Sequence, residues 1–438
     1  MKKPERPPQT AKKQDFAALL NILVKNQKLN DFFRINDLEY PYFDKWKYKT
    51  KDWGLGEDKL WSLVKQSRYA KKRIQLAQGS HFEFSFSNPS IVQEYLHKID
   101  LNLGGTLQSG SLIPEDDKNT YLLSSIMEEA IASSQIEGAV TTRRIAKEML
   151  EKEQAPVNKS QQMIHNNYIT MKWIVENKGT ELTKEVLLHI HKLITYNTLE
   201  NPACEGQFRE NDDVSVVDET NEIFYIPPPE DQLDELIKQF LRIANDKNTQ
   251  DGFIHPVLKG ILLHFLIGYI HPFVDGNGRT ARALFYWYLI KKGYWLIEYM
   301  SVSRIILRAK SQYAKAFLYT EYDENDLTYF FIYNLKCITE ALDELKLYID
   351  RKLKEKAAAV KLLRKYALNE RQVYVIQELL KDSTQYFTAK QIENIFAISN
   401  QTARTDLLKL VEQGLMVQRN IGKLMTFFGD ENLAQKIK

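Results

Sequence analysis

The sequence has very little cysteine, since Cys204 and Cys337 are its only two among 438 residues. They are far apart, and neither stands in the spacing of a metal-binding motif. The chain is therefore not expected to have a disulfide framework or a cysteine-ligated metal. Because chains poor in disulfides are usual in reducing compartments, we expect a cytoplasmic protein.

Long hydrophobic runs and an excess of one charge are also lacking. The longest run, ILLHFLIGYI at 261–270, is too short to span a bilayer and contains His264, so it predicts a buried core helix and no membrane partner. The opening MKKPERPPQTAKKQDF has no apolar run behind it, so we expect no secretory signal and predict a disordered basic arm over 1–14. With a net charge of +3, no field of the whole protein favours nucleic acid.

What is present fits a soluble globular protein of several domains, because 44% of the residues are hydrophobic and 27% are charged. The first third is mostly helical in pattern and predicts an N-terminal helical domain over 15–100, with one helix over 56–77. Aromatic and basic residues alternate over 31–53. They could stack on nucleic-acid bases, but a Tyr- and Trp-rich core is the interpretation we favour.

The middle of the chain predicts further helices and one hairpin. Two short β-branched and aromatic runs, Val214–Val217 and Ile223–Ile226, flank a polar turn and are ended by three prolines. The segment from Asp326 is periodic and lacks Gly and Pro, which predicts one long helix or two joined helices. The other predicted helices are at about 118–137, 159–177, 183–197, 230–245, 256–270 and 279–291.

The C-terminal segment predicts three short helices and then two strands around Gly422, the layout of a winged helix-turn-helix domain over 367–430. A helical linker is predicted over 351–366. Five basic side chains could meet DNA phosphates: Lys390, Arg404, Lys409, Arg419 and Lys423. Three acids dilute that charge: Glu393, Asp406 and Glu412. Because winged helices also dock proteins, DNA and protein both stay open as partners.

The stretch HPFVDGNGRTAR, residues 271–282, concentrates groups that act on phosphate. It leads into a helix, whose first N–H groups and positive dipole favour an anion, and its glycines let backbone approach closely. Arg279 and Arg282 are three apart, so both could reach one polyphosphate. Asp275 is a hard oxygen ligand suited to Mg²⁺, and Asn277 can donate to a phosphoryl oxygen. His271 titrates near neutrality and can take a proton from a hydroxyl.

Each of these groups has an ordinary explanation when taken alone. DGNG is a common turn, His271 could simply end a helix, and the two arginines could form a solvated helix face. Their joint occurrence at fixed spacing is what favours a site.

The stretch resembles the Fic-family signature H-P-F-x-[DE]-G-N-G-R-x-x-R and matches it at every defined position. The surroundings are similar too, with GQFR at 206–209 and YIPPP at 225–229, and the likeness covers roughly residues 101–350. The resemblance implies a mainly α protein, with a Fic-type helical core, a β-hairpin flap and the C-terminal winged helix. It implies that ATP is bound with Mg²⁺, and that AMP is transferred to a target protein's Ser, Thr or Tyr hydroxyl, or to the protein itself.

The resemblance also assigns roles. His271 would be the base and Asp275 the Mg²⁺ ligand, while Arg282 would pair with the γ-phosphate. The flap would clamp the target by strand addition. Relatives that phosphorylate depart from the second glycine, so Gly278 favours adenylylation. The remaining implied contacts are Gly276, Asn277, Gly278 and Arg279 around the phosphates, Tyr313 at the nucleoside, and Val214, Val216, Phe224 and Tyr225 in the flap.

SSQIEG at 133–138 resembles the inhibitory signature of the same family, [ST]-x-x-x-E-[GN], read from Ser133 to Glu137. Alone it would be a helix end closed by a glycine. Upstream of a complete Fic motif it implies a carboxylate that pairs with Arg282 and blocks ATP. In some relatives the same glutamate orients a water that removes AMP. Glu137 could therefore be a brake, a hydrolytic residue or both.

The sequence thus predicts a protein adenylyltransferase restrained by Glu137. Two alternatives stay open, hydrolytic removal of AMP by the same site and a winged-helix DNA-binding regulator. Assembly into a homo-oligomer is left open as well.

Overall fold

The computed structural model describes residues 3–8, 15–68, 71–77, 82–104, 118–217, 223–247, 252–382, 384–396, 398–421 and 424–437. These residues are mainly helical, as the sequence predicts. The chain divides into two compact units, Met1–Leu345 and Lys346–Lys438. The first unit contains both the predicted N-terminal helical domain and nearly all of the predicted Fic region. In the part that the structure describes, no helix has the length and apolar character needed to cross a membrane.

The first unit begins with four helices, a hairpin and a fifth helix. These are α1 Phe16–Lys25, α2 Leu29–Leu38, α3 Phe43–Lys49, α4 Glu57–Ser67, β1 Lys72–Gln75, β2 Glu83–Phe86 and α5 Ser90–Leu103. The central helices follow: α6 Lys118–Ile136, α7 Arg143–Glu151, α8 Lys159–Glu176, α9 Lys184–Thr195, α10 Leu233–Ala244, α11 Pro256–Ile270 and α12 Asn277–Lys291. The last are α13 Val302–Arg308, α14 Lys310–Tyr322 and α15 Thr328–Tyr366, of which the residues after Leu345 belong to the second unit. The sequence predicts one long helix or two joined helices here, and the structure has one.

The prediction of a single helix over 56–77 is wrong, because α4 ends at Ser67 and the chain then forms β1. Arg68 caps the helix end and turns inward, where it is 3% exposed. Its guanidinium lies 3.6 Å from the Tyr40 ring centroid and donates to Tyr329 Oη at 2.7 Å. The tertiary contacts of Arg68 therefore end the helix, although the local sequence pattern predicts that it continues.

The aromatic stretch at 31–53 forms core rather than a base-stacking surface. Six of its eight aromatic side chains are buried and pack with residues of α4 and α15, whereas Phe33 and Tyr48 are exposed. The buried members are Phe32, Tyr40, Tyr42, Phe43, Trp46 and Trp53. Buried rings cannot stack on nucleotides, so the core interpretation of this stretch is confirmed.

The predicted disorder of residues 1–14 is wrong for the part that the structure describes. Lys3 donates from Nζ to the carbonyl oxygen of Ile223 at 2.9 Å. The carbonyl of Glu5 accepts from Tyr42 Oη at 2.9 Å, and Pro4 is buried. Residues 1–2 and 9–14 of the predicted arm lie outside the described residues.

Helices α11 and α12 form the centre of the first unit. All but two of the residues of α11 are buried, and so are all of α12 from Arg279 to Ile290. The two helices pack against each other along their length, with the motif loop between them. A site built on that loop is held by the most buried helices that the structure describes.

The predicted hairpin is present, with shorter strands than predicted. β3 is Val216–Val217 and β4 is Ile223–Tyr225, paired antiparallel with an irregular register. Val214 and Ile226 lie outside the strands. The turn at 218–222 is outside the described residues.

The second unit contains the predicted winged helix. Its helices are α16 Glu370–Lys381, α17 Ala389–Phe396, α18 Asn400–Glu412 and α19 Leu433–Ile437. Its strands are β5 Tyr386–Phe387, β6 Met416–Ile421 and β7 Leu424–Gly429, in the antiparallel order β5-β7-β6. The predicted end at 430 is too early, because Leu433 of α19 is buried in the core of this unit. Gly422 and Lys423 lie outside the described residues.

Candidate active site

The motif loop begins and ends with residues in the left-handed conformation. His271 caps the C-terminus of α11 at φ 49°, and Gly276 caps the N-terminus of α12 at φ 84°. α12 begins at Asn277, two residues before the predicted start. The N–H groups of Asn277, Gly278 and Arg279 form the first turn of the helix, and the first intrahelical bond runs from Thr280 N to Gly276 O at 2.9 Å. The helix start thus offers donors to an anion.

Asn277 braces this loop from inside. Its Nδ2 donates to the carbonyl oxygen of Phe273 at 2.7 Å, and its Oδ1 accepts from the Phe273 N–H at 3.0 Å. The side chain is almost fully buried. The sequence predicts an amide directed at phosphate, whereas in the structure Asn277 fixes the curvature of the loop.

The His271 imidazole is oriented by the helix that it ends. Nδ1 lies 3.2 Å from the carbonyl oxygen of Gly268, and because a carbonyl only accepts, Nδ1 carries the proton and Nε2 is bare. Burial lowers the pKa of His271 below its usual value, and the Gly268 carbonyl only partly opposes this. The ring is thus held neutral, with Nε2 available to accept a proton, which is the form that a general base needs.

His191, which sequence reasoning missed, supports the loop from α9. Its ring stacks on Phe273 with centroids 3.7 Å apart. Nδ1 accepts from the Gly206 N–H at 3.1 Å, and Nε2 therefore donates to the Asp275 carbonyl oxygen at 2.9 Å. Burial lowers the pKa of His191 to about 4, so it stays in this neutral form.

Arg209, the arginine of the GQFR stretch, is a second support. Its Nε donates to the His271 carbonyl oxygen at 3.1 Å, and its own N–H donates to Pro272 O at 2.9 Å. Nη1 donates to Asp212 Oδ1 at 2.9 Å, and Nη2 donates to the Pro228 carbonyl. One buried guanidinium thus joins the motif loop to the segment after the flap. The quoted GQFR and YIPPP stretches were the only sequence signal for this contact.

The two motif arginines have different surroundings, and neither lies on a solvated face. Arg279 is fully buried, and its Nη1 donates to the Ile194 carbonyl oxygen at 3.1 Å. Its Nη2 lies 3.6 Å from Asp275 Oδ1. Within the described residues, Nε and Nη2 of Arg279 have no hydrogen-bond partner. Arg279 therefore lies beneath the loop with donor capacity unused.

Arg282 contacts the helix that carries the SSQIEG stretch, α6. Its Nε donates to Ser133 Oγ at 2.8 Å, and its Nη2 donates to Ser133 O and to Glu137 Oε1, both at 2.9 Å. Arg282 is almost fully buried, while Glu137 is 30% exposed. The predicted pair of Glu137 with Arg282 is therefore present, and Ser133 completes it.

The same carboxylate covers the start of α12. A Cβ added to Gly278 would lie 2.2 Å from Glu137 Oε1 and 3.2 Å from Arg282 Nη1. The absence of a side chain at 278 thus lets a carboxylate come directly against the first turn of the helix. The Glu137 carboxylate therefore lies directly against the first turn of α12, next to its backbone N–H donors.

A buried anchor fixes α6 in this position. Glu129, two turns before Glu137, is 2% exposed. It accepts from Tyr286 Oη at 2.8 Å on α12 and from the Ser303 N–H at 3.0 Å on α13. The sequence did not reveal this contact, which holds the helix that carries Ser133 and Glu137 against α12.

Tyr313 lies on α14 behind Arg282. Its hydroxyl lies 2.7 Å from His264 Nε2, and burial raises its pKa to about 12. Burial and the charge of Arg282 lower the pKa of His264 to about 3, so Tyr313 donates and His264 accepts. The hydroxyl is thus engaged, and a contact of Tyr313 with a nucleoside remains a prediction.

The flap residues differ in their surroundings. Tyr225 donates from its hydroxyl to the carbonyl oxygen of Tyr269 at 2.8 Å, which ties β4 to the end of α11. Phe224 is half-buried, and its ring centroid lies 5.2 Å from Lys3 Nζ. Val214 and Val216 are also half-buried.

Asp275 fits a metal carried by phosphates better than a metal held by protein alone. Its carboxylate is half-exposed, accepts from the Gly276 N–H and lies at the mouth of the loop. Within the described ranges, no group of three or more His, Cys, Asp or Glu side chains could hold a metal ion. A cation at Asp275 would take its remaining ligands from phosphate oxygens and water, as Mg²⁺ commonly does.

A family model described as the Fic/DOC family matches residues 181–289, which include the motif loop, His191 and Arg209. The chain carries a Fic domain. A second model, the DeoR-like helix-turn-helix domain, matches residues 371–425 and coincides with the winged helix.

Known proteins resemble the Fic domain at modest identity. The chain is 30% identical over 168 residues to "Protein adenylyltransferase Fic" of Drosophila ananassae, covering 36% of this chain and 31% of the relative. It is 26% identical over 250 residues to the protein of the same name from Drosophila grimshawi, covering 51% and 48%. The chain thus matches about a third to a half of the length of these relatives.

One solved structure is similar in fold over most of its length. The crystal structure of a Fic family protein from Desulfovibrio desulfuricans G20 matches with a TM-score of 0.50 and 16% identity, covering 78% of this chain and 95% of that chain. At this identity the likeness concerns the fold of the Fic domain.

Proposed function

We propose that this protein is an adenylyltransferase that moves AMP from ATP to a hydroxyl of a target protein or of itself, and that Glu137 restrains it. The observation that carries the proposal is the position of the Glu137 carboxylate. It pairs with buried Arg282 and lies against the first turn of α12, where a phosphate group of ATP would bind. Donors that already bind the Glu137 carboxylate are suited to bind a phosphate group, which is also an anion.

The chemistry follows from His271. Its bare Nε2 takes the proton of the target's hydroxyl while the hydroxyl oxygen attacks the α-phosphorus of ATP. A new bond forms between that oxygen and the α-phosphorus, and the bond from the α-phosphorus to the bridging oxygen breaks. Pyrophosphate leaves, and AMP stays on the target. Because Asn277, Arg209 and His191 fix the loop, little reorganisation is needed when charge develops at phosphorus.

The positively charged groups have distinct tasks in this proposal. The first N–H groups of α12 bind phosphate oxygens, and Arg282 binds the γ-phosphate once Glu137 releases it. Arg279 stabilises Asp275 and the loop from below. Mg²⁺ held at Asp275 would neutralise charge on the phosphates.

Labelled ATP tests the proposal directly. The full chain is incubated with ATP labelled at the α-phosphate, and label on protein is compared for wild type, Glu137→Gly and Glu137→Gly with His271→Ala. We expect little transfer by wild type, more by the single variant and almost none by the double variant. Glu128→Gln is the matched control, because Glu128 lies on the same helix but pairs with Arg143 instead. Equal labelling by all four proteins would refute the proposal.

The opposite reaction, hydrolysis that removes AMP, would use the same residues, so a separate assay is needed to detect it. Target protein modified by Glu137→Gly is purified and incubated with wild type. Release of free AMP that depends on Glu137 would show that removal is the net activity. No release, together with transfer in the first assay, favours the adenylyltransferase.

We also propose that the winged helix binds duplex DNA, on an observation that the sequence did not give. Asp406, which dilutes the basic charge in the sequence, is turned into the core at 8% exposure. Its carboxylate accepts from Arg371 Nε and from Asn369 Nδ2, both at 2.7 Å. The solvent face of the first two turns of α18 is therefore polar and basic, carrying Asn400, Gln401, Thr402, Arg404 and Thr405.

Such a face suits contacts with phosphates and base edges in a major groove. The full chain is titrated with labelled duplex DNA at several salt concentrations. We expect log affinity to fall linearly with log salt, and Arg404→Ala to reduce the slope by about one. Absence of binding to duplex DNA at low salt would contradict this proposal and favour a protein partner.

A further inference from the structure

The segment Lys3–Pro8 lies against the flap. Lys3 Nζ donates to the carbonyl oxygen of Ile223 in β4 at 2.9 Å and lies 5.2 Å from the Phe224 ring centroid. Pro4, the next residue, is buried. Lys3 thus binds one main-chain carbonyl of the flap and lies over one face of the Phe224 ring.

A second cation of the same segment meets the end of α14. The guanidinium carbon of Arg6 lies 4.2 Å from the Tyr322 ring centroid. The neighbouring Glu321 is half-buried, and burial of its carboxyl raises its pKa to about 8, while the positive charge of Arg6 opposes this rise. A cation at this place therefore favours the ionised form of a carboxyl that its surroundings otherwise keep neutral.

We name Ile223, Phe224, Glu321 and Tyr322 the flap-side surface. It offers one carbonyl oxygen, two aromatic faces and one carboxyl group, and each of these attracts a cation. The segment that covers it, KPERPP, has three prolines that favour an extended chain and two basic residues that meet the surface. The surface therefore matches an extended basic peptide better than an acidic or helical one.

The flap-side surface is directly linked to the catalytic loop. Tyr225 follows Phe224 in β4 and donates to the carbonyl oxygen of Tyr269 at 2.8 Å. Tyr269 precedes His271 by two residues at the end of α11. A peptide that lies on this surface therefore lies on the flap close to the base.

We propose that the flap-side surface is a docking site for an extended basic peptide segment, and that Lys3–Pro8 occupies it until a target segment of similar chemistry replaces it. The displacement by a target rests on the proposed AMP transfer. The docking of a basic peptide does not, and it can be tested without nucleotide. This restraint would act on the target, whereas Glu137 acts on ATP.

Peptide binding is the test of docking. A fluorescein-labelled peptide, MKKPERPPQT, is titrated into wild type and into the full chain with Lys3→Glu and Arg6→Glu, which weaken the resident segment. We expect at least tenfold tighter binding to the double variant than to wild type. Adding Phe224→Ala and Tyr322→Ala to the double variant should abolish it, as should placing glutamate at the peptide positions that correspond to Lys3 and Arg6. The matched control, Lys25→Glu with Arg34→Glu, reverses two exposed charges elsewhere and should bind like wild type.

Equal affinity for wild type and the double variant, or affinity that the aromatic substitutions leave unchanged, would overturn the docking site. Displacement by a target is tested by AMP transfer in the Glu137→Gly background. There, Lys3→Glu with Arg6→Glu should raise modification of an added target protein severalfold. Excess peptide should lower that modification again without changing the affinity for ATP. A peptide that binds but does not compete with the target would overturn the displacement. If no variant transfers AMP, the proposed function fails, and peptide binding still decides the docking site.

Discussion

Arg282 and Glu137 are joined by a hydrogen bond of 2.9 Å across 145 positions of sequence. Ser133, one turn before Glu137, accepts two further hydrogen bonds from the same guanidinium. Because Arg282 is buried, its positive charge needs a partner, and in this structure α6 supplies it. In the proposed function, a phosphate group takes the place of Glu137 while Ser133 stays bound to Arg282.

The first prediction concerns nucleotide affinity. Glu137→Gly should bind ATP more tightly than wild type, because the γ-phosphate no longer competes with a carboxylate for Arg282. A charge-assisted hydrogen bond is worth about 1.5–3 kcal/mol, which corresponds to about ten- to hundredfold in affinity. Calorimetric titration with Mg-ATP measures the change. Unaltered affinity beside an unaltered Glu128→Gln control would show that Glu137 does not obstruct the nucleotide.

The second prediction separates base from binding. In the Glu137→Gly background, His271→Ala should keep ATP affinity near that of its parent, since Nε2 holds no phosphate, and should lower the transfer rate about 10²- to 10⁴-fold. Arg282→Ala should instead weaken ATP binding. Calorimetry and the transfer assay, run on the same preparations, distinguish the two defects. A His271→Ala protein that transfers at the parental rate would remove the imidazole from the mechanism.

The third prediction compares two glycines with similar backbone. Gly276 and Gly293 have φ of 84° and 87°. A Cβ on Gly276 would lie 2.8 Å from Thr195 Cγ2, whereas one on Gly293 would meet nothing within 4 Å. Gly293→Ala should cost roughly 1 kcal/mol of stability through the backbone alone. Gly276→Ala should cost about 1–3 kcal/mol more. Chemical denaturation checks this, and equal losses would mean that the loop yields without strain.

The fourth prediction is a pH dependence of stability. The pKa of His264 is lowered to about 3, first by burial and then by the charge of Arg282, so the native ring stays neutral while the unfolded one gains a proton below about 6.5. The unfolded state then binds more protons, and stability falls as pH decreases from about 6.5 to about 3, by about 1.4 kcal/mol per unit.

His264→Gln tests this, since glutamine can still accept from Tyr313 but does not titrate. The difference in unfolding free energy between wild type and variant should shrink by roughly 2 kcal/mol between pH 7 and pH 5. Comparing the two proteins cancels the contribution of Glu321, whose raised pKa acts with the opposite sign. A constant difference across this range would show that native His264 gains its proton in the same pH range as the unfolded residue.

The fifth prediction concerns the winged helix. Every described contact of the candidate active site lies within Met1–Leu345, so deletion of residues 367–438 should leave self-modification by Glu137→Gly within about twofold of its full-length parent. The truncated protein is first checked for a cooperative thermal transition. Loss of transfer in a folded truncation would mean that the winged helix takes part in catalysis.

Much of the fold follows from local pattern. α11 begins and ends where the sequence predicts because Pro256 starts it and the motif loop stops it. The β1–β2 hairpin was missed because β1 has only one buried residue, Ile74, and the helical pattern of α4 continues into this strand without a break.

The site was predictable in membership but not in arrangement. The motif named Asn277 and Arg279, yet their bracing contacts with Phe273 and Ile194 depend on how the loop folds back. His191 was missed because it supports the loop from 84 positions away, and an isolated histidine on a helix carries no local signal. Long-range contacts of this kind appear only once α9, α11 and α12 have packed together.

The left-handed conformation of His271 has a consequence for the evolution and engineering of this position. A residue with a side chain held at φ 49° costs the fold about 1 kcal/mol or more, a cost that glycine would avoid. His271→Gly should therefore give a protein that is catalytically inert yet as stable as its parent or more so. On the proposed role of His271 as the base, the left-handed backbone at this position lowers stability in exchange for activity.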